Sequence, residues 1–266
     1  MLRRLVQWYL FLFLTLLLAP PFAVAAGEPP DAITVSERRL HEDIHLFALA
    51  ATNGARQEIS VLSPADGLDR IVAALDLIDR SSPSNAKIIQ RLKRSGRVSV
   101  VYYPNNFRNR TRLNTQTVAL FVPDFLKRND MGTERREFVV VINQFGVKWP
   151  VAELAAVIVH ELAGHGLQHL AGRIANGRVL DLECEASLYQ EQAYQDFGLE
   201  KKMRTIVLFR RQMEFHYCSD FRRYLRDRAP KRLALWDELN PDVPAILEDF
   251  RDYRGTQSAT RVSTPS

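Results

Sequence analysis

The chain lacks the features that mark several large classes of protein. It has only two cysteines, Cys184 and Cys218, so at most one disulfide can form. It has no glycine-rich phosphate-binding loop and no internal repeat, which argues against a P-loop nucleotide site and against a solenoid. After one N-terminal apolar run, no second run is long enough to span a bilayer. These absences favour one globular domain behind an N-terminal segment.

A strong net charge is also missing. The formal net charge of +5 drops by two if Arg3 and Arg4 leave with the N-terminal segment. The basic clusters around residues 91–94, 108–112 and 222–232 have few aromatic neighbours arranged for base stacking. We therefore predict no nucleic-acid partner. The clusters are expected to be solvated faces attracted to anionic envelope polymers, which favours membrane or envelope association.

Residues 1–26 predict a secretory signal peptide. Two arginines precede an almost wholly apolar run over residues 5–18, and Ala23-Val24-Ala25 offers a small-residue cleavage site. An uncleaved membrane anchor is the alternative, because the run is near the lower length limit for spanning. Either way, the rest of the chain is expected to be exported, periplasmic or extracellular. In an oxidising compartment the two cysteines form one disulfide or remain two buried thiols.

The remaining chain divides into a short linker over residues 27–34, one α+β domain over 35–254 and a disordered tail over 255–266. Apolar spacing and turn residues predict the helices; these cover 36–51, 64–79, a short stretch through 88–92, 151–170, a segment from 181 through 193, 203–224 and 233–250. β-branched and aromatic runs predict the strands; these cover 98–103, 117–122 and 138–142.

The segment with the most distinctive chemistry is His160-Glu161-Leu162-Ala163-Gly164-His165. Zinc peptidases often carry two histidines four residues apart on one helical face, with an intervening glutamate as base. Here the second histidine comes one residue later, and a five-residue step turns an α-helix by about 140°. A π-bulge that absorbs one residue would realign the rings, and Gly164 permits the backbone to adapt. In a regular helix, Glu161, His165 and His169 would instead form one stripe.

A second motif, Asp181-Leu182-Glu183-Cys184-Glu185-Ala186-Ser187, follows on the next predicted helix. Together the two motifs resemble the gluzincin metallopeptidases, whose third zinc ligand is a glutamate on the next long helix. In several membrane-associated gluzincins that glutamate opens a Glu-x-x-Ala-Asp signature, which residues 183–187 match except for the final serine. The resemblance covers residues 137–195. It implies a zincin-like core, in which a small β-sheet packs on an active-site helix and a glutamate-bearing helix, with flanking helices.

The resemblance also implies zinc as the cofactor, with His160, His165 and Glu183 as ligands and Glu161 as general base. The implied function is a zinc-dependent peptidase of the cell envelope, acting on a peptide or protein substrate. The edge of the strand over 138–142 is expected to align that substrate by strand addition. The alternatives are a non-catalytic zinc-binding envelope protein and a metal-dependent peptidoglycan hydrolase.

Four further residues are candidates for other roles at or near the site. His169 is the alternative metal ligand if the helix is regular. Glu185 is expected either to support a ligand or to lie on the surface. His216 and Tyr217, on a later helix, are candidates to stabilise an oxyanion, with an ordinary packed aromatic pair as the alternative.

A literal His-Glu-x-x-His match lies elsewhere, at His41-Glu42-Asp43-Ile44-His45. It carries a charge inside the motif, no predicted strand precedes it, and no Glu-x-x-Ala helix follows at a comparable distance. A motif without its structural context is weak. We therefore predict a solvent-facing amphipathic helix here rather than the catalytic site.

Overall fold

The structure, a computed structural model, describes residues 34–51, 61–104, 117–129 and 131–262. The predicted signal peptide, and the predicted linker except for residue 34, lie outside these residues. The described residues combine helices with one β-sheet, which confirms the predicted α+β class. Among them, no helix is both long and apolar enough to cross a membrane.

The sheet of the described residues has five strands in the order β1-β2-β3-β5-β4. They are β1 (Val35–His41), β2 (Ile44–Leu49), β3 (Arg97–Tyr103), β4 (Ala119–Phe121) and β5 (Glu137–Asn143). β2, β3 and β5 run parallel, while β1 and β4 pair antiparallel with their single neighbours at the two edges. The predicted strands over 98–103, 117–122 and 138–142 are confirmed, although β4 is shorter than expected.

The predicted helix over residues 36–51 is wrong, because this segment forms the β1–β2 hairpin. Glu42 and Asp43 connect the strands with φ angles of 47° and 62°. A two-residue hairpin turn with positive φ at both central residues has a twist that matches that of the flanking strands. β2 is buried on both faces, with Leu46 facing one core cluster and Phe47 another. A short strand buried on both faces reads as a continuous apolar run, which its spacing alone does not distinguish from a buried helix.

The expectation that residues 138–142 offer a free strand edge is also wrong. β5 pairs with β3 on one side and with β4 on the other, with Leu120 opposite Val141. The edge on this side of the sheet is therefore β4. This edge packs against the histidine-bearing segment, so Ala119–Phe121 is the edge strand of the described sheet that contacts the candidate site.

The helices before the histidine motif are α1 (Pro64–Ser81), α2 (Pro83–Ser95) and α3 (Phe125–Arg128). The long predicted helix over 151–170 consists of α4 (Val151–Val159), a π-helical stretch (His160–Gly166), named the first π segment, and α5 (Leu167–Leu170). The glutamate helix is α6 (Val179–Asp196). The predicted order of strands, histidine helix and glutamate helix is therefore present.

The C-terminal part is helical, as predicted, but more divided. It contains α7 (Arg204–Gln212), a second π segment (Met213–Tyr217), α8 (Ser219–Arg228), α9 (Pro230–Trp236) and α10 (Val243–Val262). Where a disordered tail was predicted from residue 255, α10 continues as helix to Val262; residues 263–266 lie outside the described residues. Tyr253 helps to hold α10 against the rest of the protein, because it is buried and its hydroxyl donates a hydrogen bond to Asp181 on α6 at 2.9 Å.

Helix α6 lies between two hydrophobic cores. Its Ala193 and Tyr194 belong to the core between the sheet and helices α1, α2 and α4. Its Cys184 and Leu188 belong to a second, all-helical core built with α8, α9 and α10. Burial on both sides fixes the position of this helix, since each buried large apolar side chain contributes about 1.5–3 kcal/mol. Glu183 is therefore carried by a firmly held element.

Candidate metal centre

The first π segment solves the spacing problem of the histidine motif. His160–Gly166 is wound as a π-helix between α4 and α5, so the extra residue is absorbed within the helix. The rings of His160 and His165 then lie with their centroids 5.0 Å apart. The predicted π-type insertion is confirmed, and it places both histidines on one side of the helix.

Glu183 completes a three-residue cluster with these histidines. Its two carboxylate oxygens lie 3.4 Å from His160 Nε2 and 3.5 Å from His165 Nε2. One ligand atom from each of the three residues lies within 4.8 Å of the others. Two imidazole nitrogens and one carboxylate oxygen are a donor set that suits a zinc-type ion and leaves a fourth position open. The cluster is able to hold a metal ion.

The surroundings of Glu183 keep its carboxyl group ionised. Burial alone would raise the pKa of Glu183, but the hydrogen bond with His160 and the electrostatic interactions with His160 and His165 lower that pKa overall. Glu183 is therefore held as the carboxylate, which is the form that binds a metal.

Gly164 allows the first π segment to approach α6 closely. A Cβ added at this position would lie 2.5 Å from the Cβ of Ala186 and 2.6 Å from its Cα. Both distances are far inside normal contact, and the Cα belongs to the backbone of the ligand helix. A glycine is therefore required here by packing. Ala186 is the small residue that faces it, three positions after Glu183.

We expect Gly164→Ala to lower the free energy of unfolding by about 1–3 kcal/mol, because the added methyl group overpacks this interface. The same change should weaken metal binding, since α6 has to move away from the histidines. Gly255→Ala is the matched control: Gly255 also lies in a helix, but a Cβ there meets nothing within 4 Å. That control should gain about 0.5–1 kcal/mol from higher helix propensity. Chemical denaturation of both variants measures the difference, and equal stabilities would contradict the packing argument.

Glu161 lies beside the cluster and is buried. Burial raises the pKa of its carboxyl group to about 7, with an added contribution from the negative charge of Glu183. His165 and a hydrogen bond with the backbone of Phe121, on the edge strand β4, act in the opposite direction. Glu161 is thus a carboxyl group poised to exchange a proton near neutral pH.

His169 lies outside the cluster. Its ring packs against Phe121 and Phe138, with centroid distances of 5.7 and 5.6 Å. Burial lowers its pKa, and the charge of Arg136 lowers it further. The alternative in which Glu161, His165 and His169 share a metal requires a regular helix, which the first π segment excludes.

Glu185 supports the candidate ligand His165 through Gln168. It is buried and accepts two hydrogen bonds from Arg173, at 2.5 and 3.0 Å. It also accepts one from the side-chain amide of Gln168 at 3.1 Å. The oxygen of that amide lies 2.8 Å from Nδ1 of His165. Of the two roles expected for Glu185, the structure has the supporting one.

The second π segment carries Tyr217, which interacts electrostatically with Glu183. Burial raises the pKa of Tyr217, and the charge of Glu183 raises it further, which indicates proximity to that carboxylate. The Tyr217 hydroxyl accepts a hydrogen bond from Gln212 at 2.9 Å. His216 is exposed and packs beside Tyr217, with ring centroids 5.0 Å apart. Of the pair, Tyr217 is the stronger candidate to face a substrate.

A disulfide joins Cys184 to Cys218. It links the residue after Glu183 to the residue that follows the second π segment, so the glutamate helix and Tyr217 are covalently tied. Of the two states left open by the sequence, the structure has the disulfide.

The literal motif at residues 41–45 is not a metal cluster. Its two histidines lie on opposite strands of the hairpin, where His41 pairs with Ile44 and His45 with Leu40. His41 bonds Asp76 on α1 at 2.9 Å. Among the described residues, only His160, His165 and Glu183 form a cluster of three candidate ligands. The motif is thus not the site, as predicted, although its structure is a hairpin and not a helix.

Gln168, Arg173 and Phe121 contact the site but were not identified from the sequence. Gln168 follows His165 by one helical turn, and residues at that spacing are neighbours on a helix. This spacing is a signal that would have found it. Arg173 and Phe121 reach the site through the loop and the sheet pairing, which no local pattern indicates.

Comparison of the chain with protein-family models, with curated proteins and with solved structures finds no match. The assignment of a function therefore depends on the geometry of the candidate site.

Proposed function

We propose that the protein is a zinc-dependent peptidase of the cell envelope, with His160, His165 and Glu183 as ligands and Glu161 as general base. The observation that carries this proposal is the buried Glu161 beside a cluster of three donors. A purely structural zinc site is closed by four protein ligands and has no use for an additional carboxylate. This arrangement argues against the non-catalytic alternative.

The fit between the cluster and zinc rests on its donor set. Two imidazoles and one carboxylate, close enough to share an ion, match the three-ligand pattern of catalytic zinc sites. When bound, zinc polarises a carbonyl group and lowers the pKa of a coordinated water to about 7.

Glu161 has the chemistry of a base in this setting. Its carboxylate would accept a proton from the attacking water and deliver it to the leaving nitrogen of the peptide. The hydrogen bond with the Phe121 backbone orients the carboxylate while the proton moves. Burial keeps bulk water from competing for the same carboxylate.

The substrate is proposed to be an extended peptide that adds to the edge of β4. This strand is an edge of the described sheet, and Leu120 is exposed on it. Extended peptides bind such edges through main-chain hydrogen bonds. The edge of β4 leads to Phe121, whose backbone contacts Glu161, so a peptide added there would reach the base. The peptidoglycan-hydrolase alternative shares the metal chemistry and differs in its substrate.

Export to the periplasm or the cell exterior is part of the same proposal. It is supported by the signal-like residues 1–26 and by the Cys184–Cys218 disulfide, since disulfides persist in oxidising compartments. N-terminal sequencing of the protein from its host tests this: a start near residue 26 supports export, and an intact N-terminus in the cytosol contradicts it.

We expect the purified protein to contain one zinc ion per chain, because one cluster of three ligands is present in the described residues. Elemental analysis after purification without chelators measures the stoichiometry. Chelation should remove both zinc and peptidase activity, and added zinc should restore both. A protein that never takes up stoichiometric zinc would exclude the proposed function.

A further inference from the structure

The side-chain amide of Gln168 is completely buried and fully hydrogen-bonded. Its nitrogen donates to the backbone oxygen of Leu182 at 2.8 Å and to Oε2 of Glu185 at 3.1 Å. Its oxygen lies 2.8 Å from Nδ1 of His165. A side chain in this position joins a ligand on the first π segment to the helix that carries the third ligand.

The partners determine which way the amide points. A backbone carbonyl and a carboxylate only accept hydrogen bonds, so the amide nitrogen has to face Leu182 and Glu185. The amide oxygen then faces His165, and it only accepts. Nδ1 of His165 must therefore carry the proton and donate it. In a neutral imidazole this leaves the lone pair on Nε2, the nitrogen that faces Glu183 at 3.5 Å.

A partly buried ion pair between Arg173 and Glu185 holds the amide of Gln168 in place. Arg173 binds both oxygens of Glu185, and the side chain of Glu185 is only 8% exposed. The bidentate geometry restricts the rotation of the carboxylate. It keeps Oε2 in position to accept from Gln168, so the order of the contacts is Arg173, Glu185, Gln168 and His165.

The other histidine has no comparable support. Nδ1 of His160 is buried and has no hydrogen-bond partner among the described residues. A hydrogen bond at Nδ1 therefore constrains the ring orientation of His165 but not that of His160. From these contacts we infer that Gln168 is a positioning residue for the metal site, which holds His165 in the Nδ1-protonated form with Nε2 directed at the ion.

This inference rests on the proposed zinc function, and zinc affinity tests the two separately. Gln168→Leu keeps the approximate volume but removes the acceptor for His165. Loss of a hydrogen-bond partner behind a metal ligand typically weakens metal binding by about 10–100-fold, and we expect a loss in that range. Competition with a chromophoric chelator measures the zinc dissociation constant in the full chain. If the unchanged protein binds no zinc, the proposed function fails; if it binds zinc and Gln168→Leu binds equally well, only the inference fails.

Gln190→Leu is the matched control. Gln190 is also a buried glutamine, on α6, and it donates to Tyr194 at 2.8 Å without contacting a ligand. Its replacement removes a buried glutamine hydrogen bond away from the site and should change zinc affinity by less than about threefold. A loss of affinity equal to that of Gln168→Leu would show that the effect is general destabilisation, and would overturn the inference.

The tautomer of His165 provides a readout that packing alone does not change. Long-range proton–nitrogen NMR of the metal-free protein distinguishes an Nδ1-protonated from an Nε2-protonated ring. We expect the Nδ1-protonated form in the unchanged protein and in Gln190→Leu, and a shift towards the Nε2-protonated form in Gln168→Leu. This measurement decides the question even if Gln168→Leu does not fold, because an Nε2-protonated His165 in the unchanged protein contradicts the inference directly.

Discussion

Replacing Glu161 with glutamine is expected to leave zinc bound and to reduce peptide hydrolysis by about 10²–10⁴-fold, the usual contribution of a general base. Glutamine has nearly the same shape as glutamate but does not accept a proton. The proposed ligands His160, His165 and Glu183 are unchanged, so the zinc dissociation constant should stay within about threefold. Zinc content and turnover of a fluorogenic peptide library, measured on the same preparation, test both parts.

Glu153→Gln is the matched control for that experiment. Glu153 is a buried glutamate on α4, the helix that leads into the first π segment, and burial raises its pKa as well. It is not part of the ligand cluster, so its replacement should leave both zinc content and turnover unchanged. Loss of zinc in Glu161→Gln would make Glu161 a ligand. Unchanged turnover in that variant would remove Glu161 from the mechanism.

The contrast between these two glutamates depends on where they lie. Both are desolvated, but only Glu161 also lies beside the candidate metal cluster and has a hydrogen bond with the edge strand. Desolvation alone gives a protonatable group, whereas desolvation next to specific partners is typical of a catalytic one. The prediction therefore tests the placement of the carboxylate and not its burial.

The part of the site that lies on two adjacent helices followed from the sequence. In a regular helix, the five-residue step between His160 and His165 does not allow both rings to bind one ion. Either another residue, such as His169, is the ligand, or the helix departs from regular geometry. The first π segment resolves this conflict within the backbone. Glu183 could be placed because it begins a motif on the next helix, at a short distance along the chain.

The parts that depend on pairing between distant segments did not follow. β4 lies at the edge because it pairs with β5 across an intervening stretch of chain, and only that pairing brings the backbone of Phe121 to Glu161. The hairpin of β1 and β2 was missed because β2 is buried on both faces, which removes the alternation that identifies a strand. Such errors are tertiary in origin, and the spacing of apolar residues contains no information on them.

The support behind His165 was missed for a different reason. Gln168 is one helical turn from His165 and was visible in principle, but glutamine on a largely apolar helix is usually solvent-exposed. Its burial follows from α6, whose Leu182 and Glu185 supply acceptors. Glu185 in turn is buried because Arg173 neutralises it, and Arg173 lies in the turn between the two helices. The supporting contacts therefore form only once these helices pack.

Replacing His160 with alanine is expected to weaken zinc binding by more than the roughly 100-fold that loss of an outer hydrogen-bond partner costs, because a direct ligand is removed. His169→Ala should bind zinc as the unchanged protein does. This second variant loses ring packing against Phe121 and Phe138, so it controls for the removal of a half-buried imidazole from the same helical stretch. Zinc dissociation constants measured by chelator competition compare the two variants.

The comparison separates the π-helical arrangement from a regular helix. In a regular helix, His165 and His169 would face one way and His160 would be turned aside by about 140°. Zinc would then be lost in His169→Ala and kept in His160→Ala, which is the reverse of the expected result. Glu183→Ala should lose zinc in either arrangement, so it reports on the cluster as a whole. Because the first π segment holds the rings of His160 and His165 5.0 Å apart, only the first pattern is consistent with a shared ion.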